Sequence, residues 1–356
     1  DVSGTANLTL SGHCSGSWHG AICWYGDNSF TGDVTVVGDT HLYLLRSSAF
    51  GNPANQVTMT GDGTTNMEFA GMTSGSVVPN DMALPTTGSG YLGLGWGWND
   101  STPTNRDCTW SGDFTGGRTN SEMLRFWNRD WRRLFMTGEN STFTGRVGLY
   151  DGTEVILGGA NAQGVAWENV EQVRLNTSHL DGEKTTAFLL RGDYRFNAPI
   201  EVSNSAGVSV ATVGQMNGDS TLYNATFTGD VRVNEADFQA LNLYAEAGGS
   251  ARFQGGIHGA GGHGFSLNRS FDEIEGIAGT AQSRGYDSPT GAVILDAASR
   301  VSLSDGGTDS IGPVNVAAGT LQVDTDHFYA STLTIAPEAT LAGVGTVSAA
   351  VSLGGI

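Results

Sequence analysis

A short motif, Ser/Thr-Phe-Thr-Gly, recurs at three distant positions of this chain, is followed each time by strand-like sequence, and limits the folds open to the chain. It occurs in "NSFTGDVTVVG" from residue 28, in "STFTGRVGLY" from residue 141 and in "NATFTGDVRV" from residue 224. After each glycine, apolar and polar residues alternate, which is the period of a β-strand. The copies share little else, which indicates that only the buried positions of a repeated unit need to recur.

Short alternating segments of the same kind fill most of the chain. Examples are "QVTMTG" at 56, "EQVRLN" at 171, "GVSVATVG" at 207 and "GAVILD" at 291. Each ends at a residue that favours turns, such as Gly, Asn, Asp or Ser, and helical periodicity is almost absent. The sequence therefore predicts an all-β protein made of short strands.

The spacing of the motif predicts how these strands are arranged. Phe30, Phe143 and Phe227 are separated by 113 and 84 residues, and division by five and by four gives a period of about 21 to 23 residues. This period is typical of a right-handed, single-stranded parallel β-helix with three short strands in each coil. We expect one domain over residues 1–356 with about 16 coils, and a rod roughly 75 Å long.

The charge balance excludes some partners. The chain has 36 acidic and 17 basic residues and a formal charge of −19, so it repels nucleic-acid phosphates. It has no apolar run long enough for a transmembrane segment.

We expect no cofactor and no metal site. Calcium is the alternative, at the oxygen-rich segments 60–65, 304–310 and 323–327, but these lack the pattern of a calcium loop and are explained by tight turns.

The cysteines and the first residue point to secretion. Cys14 and Cys23 enclose a loop with Gly and Ser, a separation that suits a disulfide in an oxidising compartment. Cys108 is either buried as a small apolar side chain or paired elsewhere. The sequence begins with Asp1 rather than Met, which suggests a processed N-terminus.

Residues 88–132 break the repeat and are rich in Trp and Arg. Leu124, Trp127, Trp131 and Leu134 have helical spacing, so we expect an inserted short helix or long loop. It could be a lid over the coils, or a recognition patch, because Trp and Arg often anchor interfaces and stack on sugars. The candidate binding residues are Trp96, Trp98, Trp127, Arg129, Trp131, Arg132 and Arg133.

Three segments resemble the passenger-associated repeat of bacterial autotransporters: "ICWYGDNSFTGDVTVVGDTHLYL" at 22, "RLFMTGENSTFTGRVGLYDGTEVIL" at 133 and "STLYNATFTGDVRV" at 220. The segment from 314 to 355, with "GTLQV" and "ATLAGVGTV", is the most similar to the family pattern. The resemblance covers about half of the chain. It implies a secreted β-helix at the bacterial cell surface and carries almost no information on activity.

Three functions are weighed on this basis. The favoured one is a non-enzymatic structural protein that pairs end to end with other copies, through an uncharged, alternating final segment with Val351, Leu353 and Ile356. The alternative is a monomeric adhesin that binds host or matrix glycans through the Trp/Arg insertion. The third is a polysaccharide-cleaving enzyme, but the best local carboxylate group, Asp272, Glu273 and Glu275, is not a clear catalytic cluster.

Overall fold

The computed structural model describes the chain except for residues 13–20, 25, 70–71, 73–74, 96–106, 128–132, 140, 151, 159–162, 166, 177–184, 204–209, 219–220, 234–239, 259–264, 270–289, 297–300, 303–313 and 355–356. Every regular element in the described part is a β-strand. The chain divides into two compact units, Asp1–Val155 with Asn169–Glu171, and Ile156–Glu168 with Gln172–Ile356.

Unit 1 is a stack of coils in which every described strand pair is parallel, and equivalent strands of successive coils form columns. Column A contains β1 (Leu8–Leu10), β3 (Val34–Val37), β5 (Val57–Thr60), β8 (Met82–Leu84) and the start of β11 (Phe114–Trp127). Column B contains β2 (Ile22–Trp24), β4 (His41–Leu44), β6 (Thr64–Glu68), β9 (Tyr91–Gly95), the end of β11 and β13 (Thr144–Tyr150). Column C contains β7 (Ser76–Val78), β10 (Cys108–Trp110) and β12 (Arg133–Met136).

Unit 2 has the same construction, again with parallel pairs. Column D contains β15 (Gln163–Val165), β18 (Asp193–Phe196), β21 (Asn224–Phe227), β24 (Ser250–Phe253), β27 (Ala292–Leu295), β30 (Gly319–Val323) and β32 (Ala339–Ala342). Column E contains β19 (Ile200–Ser203), β22 (Val231–Val233), β25 (Ile257–His258), β28 (Val301–Ser302) and the starts of β31 (Phe328–Ile335) and β33 (Val347–Leu353). Column F contains β17 (Thr185–Leu190), β20 (Val210–Gln215), β23 (Ala240–Ala245), β26 (Phe265–Leu267), β29 (Val314–Val316) and the ends of β31 and β33. Two strands, β14 (Glu154–Leu157) and β16 (Val170–Asn176), contribute residues to both units, and the unit 2 part of β16 pairs with β19.

This parallel, all-β arrangement confirms the predicted β-helix class, but several coils are longer than the predicted period. The step from Val34 to its partner Val57 is close to that period, whereas the step from Met82 to its partner Phe114 is much longer. The coil that contains Phe30 and the coil that contains Phe143 are separated by four steps from one coil to the next. Three of these steps are strand pairings, and the fourth is marked by a hydrogen bond from the Phe143 N–H to the Phe114 carbonyl. The predicted period assumed five steps, because spacing alone does not reveal how much chain lies outside the strands.

The recurring motif supplies an inward aromatic ring and a glycine at a close approach between coils. Phe30, Phe143 and Phe227 are all buried. A Cβ at Gly32, whose φ is 146°, would overlap the Ala6 carbonyl of the preceding coil, so the position requires glycine. This confirms that the motif repeats for a structural reason.

Aromatic rings from successive coils continue this interior packing. In unit 2, the ring centroids of Phe188 and Phe196 are 4.9 Å apart, and those of Phe227 and Phe253 are also 4.9 Å apart and stacked. In unit 1, Trp110 packs on Phe114 at 5.4 Å. Burying a Phe side chain contributes about 1.5–3 kcal/mol, so these ladders are a main source of stability.

Many acidic side chains serve the coils by accepting backbone hydrogen bonds from the next coil. Asp33 accepts from the Gln56 N–H at 3.1 Å, and Asp81 accepts from the Asp113 N–H at 2.8 Å. Such contacts satisfy N–H groups at the corners, where the strand ladder is interrupted. Part of the strong negative charge therefore has a structural use.

Residues 121–127 form neither the short helix nor the long loop that the sequence predicts. Ser121–Trp127 belongs to strand β11, and Leu124 pairs with Leu92 of β9 while it also faces Val147 of β13. Leu124 and Phe126 are buried, and the residues between and after them are partly exposed, as in a strand with one inward face. Most of the described part of the predicted insertion thus lies in β9, β10 and β11, which pair within the columns of unit 1. Within the described ranges there is no helix with the length and apolar composition that a membrane crossing requires.

Candidate functional site

The outer face of column B carries the richest set of aromatic and charged side chains that the structure describes in unit 1. Strand register aligns two rows of outward positions across the coils. One row is Tyr43, Glu68, Gly95, Trp127 and Tyr150; the other is His41, Asn66, Gly93, Arg125 and Gly148. We call this surface the B face. Its composition changes along the stack, from a buried polar pair to two glycines and then to an aromatic and cationic cluster.

Trp127 lies across two glycines of the preceding coil. A Cβ on Gly93 would overlap the ring edge of Trp127, and a Cβ on Gly95 would overlap its five-membered ring. The "GLG" of β9 therefore forms a shelf on which the indole rests. Trp127 remains partly exposed, and its indole N–H donates to no group in the described part of the chain. The free face and the N–H of the indole are available to a ligand.

Arg125 lies between two tyrosine rings, from the coil before and the coil after. Its guanidinium carbon is 4.4 Å from the Tyr91 ring centroid and 5.0 Å from that of Tyr150. Its Nε–H donates to Glu122 Oε1 at 2.6 Å, and its Nη1 donates to the Tyr91 hydroxyl at 3.0 Å. The Tyr150 hydroxyl donates to the other oxygen of Glu122 at 2.8 Å. Both carboxylate oxygens of Glu122 are thus used to fix Arg125 and Tyr150.

The surroundings of Arg125 keep it charged and leave donors unused. Burial opposes its charge, but the hydrogen bond and the negative charge of Glu122 outweigh this effect, so the pKa of the guanidinium lies above its ordinary value. The N–H groups that do not bind Glu122 or Tyr91 have no partner among the described residues, and 37% of the side chain is exposed. The cluster can bind an acceptor, and Arg125 cannot act as a base.

His41 and Glu68 form the buried part of the B face. His41 Nε2 lies 2.7 Å from Glu68 Oε1, and each side chain is only 1% exposed. The His41 ring also packs against Tyr43 at 4.8 Å. These two titratable groups are shielded from solvent, so their arrangement suits internal packing and gives a substrate no access.

Most of the predicted binding residues cannot be placed. Trp96, Trp98, Arg129, Trp131 and Arg132 lie outside the described residues, and the insertion as a recognition patch stays a prediction. Of the two that the structure describes, Trp127 is on the B face.

Arg133 is elsewhere, at the start of β12 in column C. It forms two hydrogen bonds to the Asp107 carboxylate, at 2.7 and 2.5 Å, and its guanidinium lies 5.3 Å from the Phe135 ring centroid. A bidentate pair of this kind, with the arginine only 14% exposed, ties two neighbouring coils together.

The structure describes two of the three cysteines, Cys23 and Cys108. Cys14 lies outside the described residues, so its disulfide with Cys23 stays a prediction; Cys23 itself is exposed on β2. Cys108 is buried on β10, with its sulfur 4.0 Å from the sulfur of Met72. Of the two alternatives for Cys108, burial as a small apolar side chain agrees with this position.

The last described coil is the second surface of interest. Leu333 and Ile335, in the ends of β31, are buried, and they pair with Val351 and Leu353 of β33. Val351 and Leu353 occupy the same inward positions but are 50% and 68% exposed, because no described strand covers them. The same coil exposes Val344 in its turn. Ile356 lies outside the described residues.

Of the segments weighed for calcium and for catalysis, the structure describes residues 60–65 and 323–327. No group of three or more His, Cys, Asp or Glu side chains in the described ranges is placed to hold a metal ion. Asp62 accepts the Ser89 N–H at 2.6 Å, and Asp326 accepts the Thr346 hydroxyl at 3.1 Å, so both have roles in corners between coils. Residues 304–310 and the carboxylates Asp272, Glu273 and Glu275 lie outside the described residues.

Sequence reasoning identified Trp127 but missed Tyr91, Glu122, Arg125 and Tyr150. The signal was present as a strand pattern, since in "LRFW" the residues Arg125 and Trp127 alternate with Leu124 and Phe126. A strand interpretation places Arg125 and Trp127 together on one face. The helical interpretation separated them.

No family model, no curated protein and no solved structure matches this chain.

Proposed function

We propose that this chain is a non-enzymatic structural protein of a bacterial cell surface, secreted in the manner of an autotransporter passenger, that associates end to end with other copies. The observation that carries this proposal is the apolar surface of the last described coil. There Val351 and Leu353 occupy inward positions that are buried in the preceding coil, and they are exposed. The parallel β-helix also agrees with the fold that the autotransporter resemblance implies.

The chemistry of this coil favours a second copy as its occupant. Residues 339–354 contain no charged side chain, and charges are the usual means by which edge strands avoid pairing. The outer edge of β33 is available for parallel pairing, which is the geometry within each column. A second copy carries parallel strands of the same kind, with which this edge can pair.

Charge at the uncovered positions tests this association. The particles that the wild-type protein forms are expected to grow with protein concentration, as measured by light scattering, and to appear as fibres in negative-stain images. The double variant Val351→Asp, Leu353→Asp is expected to remain monomeric, because buried unpaired carboxylates cost several kcal/mol.

Leu222→Asp is the matched control, since Leu222 is 59% exposed in unit 2 and does not belong to the last coil. This control is expected to assemble like wild type. A monodisperse wild-type monomer at micromolar concentration would contradict the proposal, and so would equal loss of assembly in the Leu222 variant.

The B face favours a second function, the binding of surface glycans. Its specific support is the partly exposed indole of Trp127 on the shelf of Gly93 and Gly95, beside Arg125. Aromatic faces stack on the apolar faces of sugars, and nearby donors fix their orientation. A cleaving function receives less support, because both oxygens of Glu122 accept hydrogen bonds, one from Arg125 and one from Tyr150, and the charged Arg125 is no base.

A further inference from the structure

The unused hydrogen-bonding groups around Arg125 and Trp127 are donors. The indole N–H of Trp127 and the remaining N–H groups of Arg125 have no partner among the described residues. The nearby acceptor, Glu122, already binds Arg125 and the Tyr150 hydroxyl through its two oxygens. A ligand that satisfies the indole N–H and the remaining guanidinium N–H groups must therefore supply acceptors.

The guanidinium favours a planar anion among these acceptors. The rings of Tyr91 and Tyr150 hold Arg125 on both sides, and Glu122 holds its Nε. A group held in this way loses little side-chain entropy when a ligand binds. Its outward N–H groups match the two oxygens of a carboxylate. The adjacent indole supplies a flat surface of the size of a sugar ring.

From these features we propose that the B face binds a glycan through a single carboxylated sugar, with the carboxylate on Arg125 and the sugar ring on Trp127. This inference rests on the second function proposed above and specifies its ligand. The formal charge of −19 limits the ligand further. A polymer with a carboxylate on every sugar is repelled over a Debye length or more, whereas a glycan with one terminal carboxylate meets much less repulsion.

The test compares sialyllactose, a trisaccharide that ends in a carboxylated sugar, with the same trisaccharide after its carboxylate is reduced to an alcohol. Binding to the full chain is measured by calorimetry or by ligand-observed NMR. Wild type is expected to bind the acid about tenfold more tightly than the reduced form, as one charge-assisted hydrogen-bonded pair provides. A short oligouronate is expected to bind more weakly than sialyllactose at low salt.

Two variants and one control locate the site. Arg125→Gln is expected to remove the preference for the acid, so that this variant binds the acid and the reduced form with equal affinity. Trp127→Ala is expected to weaken both. Arg232→Gln, on a described surface of unit 2, is expected to change neither. Arg125→Lys, which keeps the charge but not the planar fork, is expected to lose most of the preference and guards against a folding effect of the Gln variant.

Each alternative outcome has one meaning. If wild type binds the acid and the reduced form equally, glycan binding stands and the carboxylate subsite is overturned. If neither trisaccharide binds, both the subsite and the glycan function are overturned. If the oligouronate binds more tightly than sialyllactose, the single-carboxylate ligand is wrong. If Arg232→Gln removes the preference as Arg125→Gln does, the site is not on the B face.

Discussion

The B face of unit 1 and the outer face of column E in unit 2 both display arginines on stacked parallel strands, yet these arginines have different surroundings. In column E, register aligns Arg174, Glu201, Arg232 and His258. Arg174 Nη2 lies 3.2 Å from Glu201, and Arg232 Nη2 lies 2.8 Å from Asp230. On the B face, the neighbours of Arg125 in the adjacent coils are tyrosine rings.

This difference separates structural charge from charge that is open to a ligand. On the column E face each of these arginines lies beside a carboxylate, Arg174 beside Glu201 of the next coil and Arg232 beside Asp230 of its own coil, and such an exposed pair contributes about 0–1 kcal/mol. When rings flank an arginine and one glutamate in its own strand orients it, the outward N–H groups remain available. We therefore expect recognition on the B face and support of the coils on the column E face.

The largest effect in this comparison should follow from filling the shelf on the B face. In Gly95→Ala, the new Cβ would overlap the Trp127 ring and lie 2.6 Å from the Trp127 carbonyl oxygen. We expect a loss of about 1–3 kcal/mol in the free energy of unfolding, as for other overpacked sites. Urea denaturation followed by tryptophan fluorescence measures it.

The control for this experiment is Gly218→Ala in unit 2. There a Cβ would meet nothing closer than 3.2 Å. A variant of Gly95 that is no less stable than this control would show that the indole does not rest on the shelf.

A smaller effect should distinguish the two kinds of arginine. Arg125→Ala removes an ion pair and two ring contacts, so we expect a loss of about 1–2 kcal/mol in the free energy of unfolding. Arg232→Ala removes an exposed ion pair, and we expect less than about 1 kcal/mol. Equal losses by denaturant titration would remove the distinction between the two faces.

The smallest effect is a pH dependence on the column E face. Burial raises the pKa of Asp230, but the hydrogen bonds from Arg232 and from the Gly256 N–H, together with the charge of His258, lower it overall below its ordinary value. A carboxyl whose pKa is lower in the folded state stabilises the fold above its unfolded pKa, about 3.9, and this contribution is lost as pH falls through the folded pKa.

Asp230→Asn should therefore reduce stability at neutral pH by less than about 1 kcal/mol, since the pair is partly exposed. Thermal unfolding from pH 7 to pH 2 should show this difference shrinking below about pH 4. A difference that stays constant over the whole range would contradict the assigned role of the Asp230 charge.

Sequence reasoning predicted the features that depend on short-range alternation. The inward Phe30 and Phe227, the close approach at Gly32 and the apolar positions Val351 and Leu353 follow from period two and turn chemistry. The strand that ends at Trp127 was mistaken for a helix because Leu124 and Trp127 also fit a helical period. Pairing with β9 and β13 makes this segment a strand, although its local pattern also fits a helix.

The cluster around Arg125 could not be predicted, because it depends on which residues become neighbours between coils. Tyr91 and Tyr150 lie one coil before and one coil after Arg125, far from it in the sequence, yet both contact it. To pair them from sequence requires the register of three coils. Chain outside the strands shifts that register, and for the same reason the predicted number of steps from Phe30 to Phe143 was five and not the observed four.

The unequal coils have a consequence for how such a protein can change. Ser250 pairs in register with Ala292 across a much longer stretch of chain than the one that joins Val34 to its partner Val57. Hydrogen-bonded register, and not chain length, defines a coil, and longer loops add little entropic cost. Insertions between strands should thus be tolerated where substitutions at inward positions are not. Related chains would differ mainly in loop length, and a foreign epitope grafted between two strands would be displayed without disturbing the columns.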